Sequence, residues 1–158
     1  MPMPENANMT KEYLCAEETD TLALAERLAA LLPKKAFVAL DGELGAGKTV
    51  FVRGLAKGLG ITDDITSPTF TIVSEHEGKR TLYHFDVYRL SDADELYAIG
   101  YDDYLRAEAV TVMEWAVLLP DALPKERLAV TVEGEGLLPR HLTVTAYGAR
   151  YEEVLKQL

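Results

Sequence analysis

The residues best suited to chemistry lie between Gly42 and Thr49, "GELGAGKT". They fit the spacing G-x-x-x-x-G-K-[ST], which makes physical sense only between a strand and a helix. Glycines let successive backbone N–H groups point at one anion without side-chain clash. A helix starting at the lysine adds the positive end of its dipole. Lys48 would then reach the β- and γ-phosphates of a nucleoside triphosphate from a solvent-facing crevice, and the Thr49 hydroxyl would coordinate Mg²⁺. A phosphate loop also needs an acidic partner for the metal. Asp86 closes "TLYHFD" and Glu114 closes "VTVMEW", both at the ends of apolar runs. At the carboxyl ends of strands in an α/β sheet, such groups face the ligand crevice. Either carboxylate could bind the metal, directly or through water, or orient an attacking water; spacing does not rank them.

Other polar residues carry weaker signals. "TSPTF", Thr66 to Phe70, packs three hydroxyls around Pro68. It reads equally as a γ-phosphate-sensing segment or as a Ser-Pro turn into a strand. His76, His84 and His141 show no metal-ligand spacing and read as structural. Trp115 reads as core, with stacking on a base as the alternative.

The elements that must position these groups alternate along the chain. "EYLCAE", Glu12 to Glu17, predicts a short strand. "TDTLALAERLAALL" predicts a helix capped by Thr19 or Asp20, with Leu22, Ala25, Leu28, Ala29 and Leu32 inward. "AFVALD" is a buried strand of the parallel-sheet kind. A helix from Lys48 to Leu59 turns Phe51, Val52, Leu55 and Leu59 inward and ends at Gly60. Two strands flank an "EGK" turn at Glu77 to Lys79. "DADELYAIGYDDYL" predicts one helix with Leu96 and Ile99 inward, and "AVTVMEW" another buried strand. A hairpin follows, with Leu128, Val130 and Val132 on one arm and Leu142, Val144 and Ala146 on the other, then a C-terminal helix. The expected class is α/β: a P-loop NTPase-like mixed sheet, mostly parallel at its core with antiparallel hairpins, flanked by helices.

Composition bounds the rest. At 158 residues the chain predicts one domain, 12–158, after a ragged tail at 1–11. The tail has neither the basic start nor the apolar run of a signal peptide, and no apolar stretch is long enough to span a membrane. The single cysteine, Cys15, cannot form an intrachain disulfide, which fits a reducing compartment. With 26 acidic against 16 basic residues, net charge is −10. Such a surface repels phosphate backbones, so nucleic acid near the function implies a partner that holds it.

"GELGAGKT", "SPTF", "HFDVYR" (His84 to Arg89) and "MEW" (Met113 to Trp115) occur in that order. Together they resemble the TsaE (YjeE) family of small bacterial P-loop ATPases, over nearly the whole chain from about Tyr13 to Tyr147. The resemblance implies a cytoplasmic protein that serves threonylcarbamoyl modification of adenosine 37 in tRNAs reading codons that begin with adenine. It implies weak ATP hydrolysis, stimulated by a TsaB–TsaD complex, with tRNA met only indirectly. By motif match, Gly45, Ala46, Gly47, Lys48, Thr49 and Val50 would cradle the phosphates, while Thr49 and Glu114 would hold Mg²⁺. Asp86 would be a metal-shell or water-positioning acid, and Thr69 a switch residue. Adenine would lie near Glu18, with Arg140 closing the other side.

Two other classes share the phosphate loop. A small-molecule kinase would carry an arginine-rich lid, whereas the arginines here are scattered. A nucleotide-gated binding module would bind ATP without turning it over.

Overall fold

The computed structural model describes residues 9–43, 45–68, 70–137 and 139–158. Seven strands form one sheet: β1 (Met9–Cys15), β2 (Ala36–Asp41), β3 (Val73–His76), β4 (Leu82–Asp86), β5 (Val110–Glu114), β6 (Arg127–Glu133) and β7 (Arg140–Tyr147). Five helices pack on it: α1 (Glu18–Leu31), α2 (Lys48–Gly58), α3 (Ala93–Ala98), α4 (Tyr101–Arg106) and α5 (Ala149–Gln157). The strand order is β1-β7-β6-β2-β5-β4-β3. The four central strands β6, β2, β5 and β4 run parallel. β1 and β7 extend one edge antiparallel, and β3 closes the other. This is the mixed α/β sheet expected from the alternating elements.

Strand alternation sorts the core into two faces. Val38, Leu40, Val110, Val112, Leu128 and Val130 meet α1, α2 and α5. Phe37, Ala39, Phe85 and Met113 meet Leu96, Tyr101 and neighbouring turns. Beside the sheet, α2 lies close to α1. A Cβ on Gly54 would sit 2.6 Å from Ala25 Cβ and 2.7 Å from the Leu22 carbonyl oxygen, so only glycine allows this approach.

Several expected boundaries shift. β1 begins at Met9, so Met9, Thr10 and Lys11, read as tail, pair with β7; residues 1–8 lie outside the described residues. The N-cap of α1 is Glu17 rather than Thr19 or Asp20. Asp20 sits three positions in and accepts the Glu17 N–H at 2.9 Å, the returning half of a capping box. Leu22 is only half-buried, and Leu24 takes its inward place. The single helix expected over 92–105 is two. Gly100, at φ 88°, separates α3 from α4. Ile99 is therefore exposed, and Tyr101 fills the core instead, its hydroxyl donating to the Ala122 carbonyl at 3.0 Å. The first of the two strands around the Glu77–Lys79 turn, β3, begins only at Val73, because residues 70–72 turn before it.

Candidate functional site: a phosphate-loop cleft

The loop from β2 to α2 brings the chain to a helix start with unusual exposure of its donors. Gly47 is the N-cap of α2 at φ 104°, a conformation that disfavours any side chain. No side chain caps α2 and no acidic residue lies in its first turn. α1, by contrast, has Glu18 and Asp20 there. The first N–H groups of α2 are thus left for an anion from elsewhere.

Beside this helix start is a cavity of 470 Å³ whose wall includes Gly45, Gly47, Lys48, Thr49, Val50, Asp86, Glu114 and Arg140. Eight of the sequence-predicted residues therefore meet in one place. A second cavity, of 280 Å³, shares Gly47, Val50 and Arg140 with the first and adds Glu18. Arg140 stands between the two. Its guanidinium donates to the carbonyls of Gly45 at 3.3 Å and Gly136 at 3.0 Å. Gly42 and Ala46 instead line an 810 Å³ cavity across the loop, with Asp41, Glu43, Glu133 and Glu135. Four carboxylates make that larger cavity the wrong place for phosphates. Thr69, the expected switch residue, lies outside the described residues.

Lys48 corrects one expectation: it does not face solvent but is 6% exposed. Its Nζ sits 3.6 Å from the centroid of the Trp115 ring and has no hydrogen-bond partner among the described residues. Burial pushes the amine down from the ordinary lysine range, against the pull of Glu114, Asp86, Asp41 and Glu43, which holds it up. Burial likewise pushes the Asp41 carboxyl up, opposed by the Val117 N–H that it accepts at 3.0 Å and by Lys48.

Asp86 and Glu114 are register partners on the parallel pair β4 and β5, and both are buried. Asp86 accepts the Ser67 hydroxyl at 2.5 Å on one oxygen and the Tyr88 N–H at 3.0 Å on the other. Glu114 meets His84 Nε2 at 2.5 Å. The chain then turns at Trp115, which holds a left-handed φ of 62° and packs on Tyr88 at 4.7 Å between centroids.

The donor set suits magnesium. Two carboxylates and the Thr49 hydroxyl share one cleft with the helix start. Mg²⁺ takes hard oxygen ligands, and one or two carboxylates with phosphate oxygens and water satisfy it. Among the described residues no cluster of three or more His, Cys, Asp or Glu side chains that could hold a metal occurs. The buried, unpaired Lys48 amine supplies a cation beside that position.

Tyr88 and Arg89 carry no signal for the cleft in the sequence, yet they line it with Ser67, from the segment that reads equally as phosphate-sensing or turn, and with Trp115, which reads as core. His84 was set aside as structural. The period-2 rule could have found it, since His84 and Asp86 leave the same face of β4. Thr21, buried at 1% and with no hydrogen-bond partner for its hydroxyl among the described residues, lines the second cavity and had no signal in the sequence.

The chain is similar to proteins already known. Residues 15–141 match the model of the family described as threonylcarbamoyl adenosine biosynthesis protein TsaE. The tRNA threonylcarbamoyladenosine biosynthesis protein TsaE of Bacillus subtilis is 44% identical over 140 residues, covering 88% of this chain and 87% of its own. That of Treponema pallidum is 41% identical over 113 residues, covering 72% and 84%. The crystal structure of Bacillus subtilis YdiB superposes with a TM-score of 0.82 at 37% identity, covering 94% of this chain and 93% of that one. The chain belongs to the family of the threonylcarbamoyl adenosine biosynthesis protein TsaE.

Proposed function

We propose that this protein binds ATP with Mg²⁺ in the 470 Å³ cleft and hydrolyses it in support of tRNA threonylcarbamoyladenosine biosynthesis. The observation that carries the reading is convergence: an uncapped helix start, Lys48, Thr49 and two buried strand-end carboxylates on one wall. The α2 N–H groups and Lys48 bind the phosphates, Lys48 leaving the Trp115 ring to do so. Thr49 and Glu114 hold the metal. Magnesium, when bound, neutralises developing charge on the transferred phosphoryl group. Asp86, fixed by Ser67 and the Tyr88 N–H, is placed to orient water or the metal's water shell. The base lies in the second cavity, between Glu18 and Arg140.

The same reading makes the protein an accessory that works through a TsaB–TsaD complex and meets tRNA only through it. The ten-charge acidic excess supports the indirect role, because binding to nucleic acid rests on neutralising phosphates with Lys and Arg. Among the described residues no helix is long and apolar enough to cross a membrane. The test is ATP hydrolysis with Mg²⁺, measured alone and beside a TsaB–TsaD pair. Slow turnover that the pair accelerates supports the reading. Transfer of phosphate to a small acceptor would favour a kinase, and binding without turnover in either condition would favour a gated module.

A further inference from the structure

His84 sits on β4 two residues before Asp86, on the face turned toward α2. It is fully buried. The side chains around it on that face, Leu82, Val110 and Val112, are apolar and fully buried. Its Nε2 lies 2.5 Å from Glu114 Oε2, while its Nδ1 is shut from solvent with no hydrogen-bond partner among the described residues. For packing alone, an apolar side chain would serve better, since it would leave no buried polar atom unpaired. What the imidazole does that an apolar group cannot is hold the Glu114 carboxylate.

We propose that His84 is the positioning residue for Glu114: its Nε2–H donates to Oε2, locks the carboxylate against rotation and leaves Oε1 to serve the cleft. The two strand-end acids differ in this respect. Asp86 has hydrogen bonds to both oxygens, from Ser67 and from the Tyr88 backbone. Glu114 has a single side-chain hydrogen bond among the described residues, and His84 makes it. Glu114 also has more rotatable bonds to restrain. Loss of the imidazole therefore frees Glu114 and leaves Asp86 in place. A partner that orients a metal-binding carboxylate is worth about 10–100-fold in metal affinity. The inference rests on the reading of Glu114 as a magnesium carboxylate.

The experiment is calorimetric titration of ATP, with and without Mg²⁺, into the wild type, His84→Leu, His84→Gln and the double variant His84→Leu/Glu114→Gln. A glutamine amide places its donor where Nε2 stands. We expect His84→Leu to leave metal-free ATP affinity within about twofold, to lose about tenfold in the presence of Mg²⁺, and His84→Gln to recover most of it. In the Glu114→Gln background His84→Leu should cost nothing further, because the residue acts through that carboxylate. If His84→Leu does not fold, His84→Asn replaces it: the shorter amide cannot reach Oε2 and should lose the metal-dependent affinity that His84→Gln keeps. Equal affinity of wild type and His84→Leu with Mg²⁺, equal loss in the Leu and Gln variants, or additive losses in the double variant each overturn the proposal. A wild type whose ATP affinity ignores Mg²⁺ would instead overturn the metal reading of Glu114, before any His84 variant is compared.

Discussion

Phe51 and Lys48 stand three residues apart on α2, both almost fully buried, and their surroundings obey opposite rules. Phe51 is 0% exposed within the apolar cluster that joins α1, α2, α5 and the sheet. Lys48 buries an amine with no hydrogen-bond partner among the described residues, above an aromatic ring and in one cleft with two buried carboxylates. Among the described residues the two non-glycine residues with left-handed backbone, Ile72 and Trp115, both border this end of the sheet. Trp115 follows Glu114 directly, and the Ile72 carbonyl accepts the Asp86 N–H at 2.8 Å. One turn of helix thus separates a region built for stability from one where stability is given up to keep charged groups poised. Such groups make sense if something else completes them.

The largest expected effect lies on the stable side. Phe51→Ala should destabilise the fold by about 3–5 kcal/mol in denaturant titration. The helix–helix contact of that region should matter as well. Gly54→Ala ought to stabilise an exposed helix by about 1 kcal/mol, yet here it should cost about 1–3 kcal/mol, because its Cβ meets the Leu22 carbonyl. A neutral or stabilising result would mean that α1 and α2 are less tightly apposed than they appear.

On the cleft side the cost should nearly vanish. Lys48→Met should leave ligand-free stability within about 1 kcal/mol of wild type, because removing an unpaired buried donor, which costs about 1–3 kcal/mol, is offset by losing the ring contact and the attraction of Glu114, Asp86, Asp41 and Glu43. A fall of Phe51→Ala size would erase the contrast between the two regions.

The smallest effect is in pH. Burial raises the Asp41 carboxyl, so the folded state holds that proton more tightly than the unfolded chain. Ionised Asp41 therefore costs stability above the folded pKa, and that cost fades as pH falls toward about 4. Asp41→Asn should be more stable than wild type near neutrality, keep the Val117 hydrogen bond, and lose its advantage in acid. An advantage that grows in acid would reverse the assigned direction.

The stable region was largely legible in the sequence. Period-2 alternation named Leu128, Val130, Val132, Leu142, Val144 and Ala146, and all six are fully buried. Helical spacing named Phe51, Val52, Leu55 and Leu59. What pattern could not show was where Gly100 would break a helix, because a glycine inside a helical run is often tolerated. In the cleft, fixed spacing named Lys48 and Thr49, and position at the end of an apolar strand named Asp86 and Glu114. Their supports were hidden: Ser67 reaches Asp86 across 19 residues and His84 reaches Glu114 across 30, contacts that exist only once the sheet forms. The burial of Lys48 was hidden for the same reason, because Trp115 comes from the turn after β5, far along the chain.

The central claim is that the cleft beside α2 takes ATP with Mg²⁺. Titration of ATP into wild type and Lys48→Ala, with and without Mg²⁺, tests it most directly, with thermal unfolding as the check on folding. Wild type should bind one equivalent, more tightly with the metal. At ~100 times the dissociation constant, ligand should stabilise the fold by about 2.7 kcal/mol, a melting shift of roughly 5–10 °C for a chain of this size. Lys48→Ala should stay folded and show neither binding nor shift. Full binding by Lys48→Ala, or none by wild type, would contradict the account.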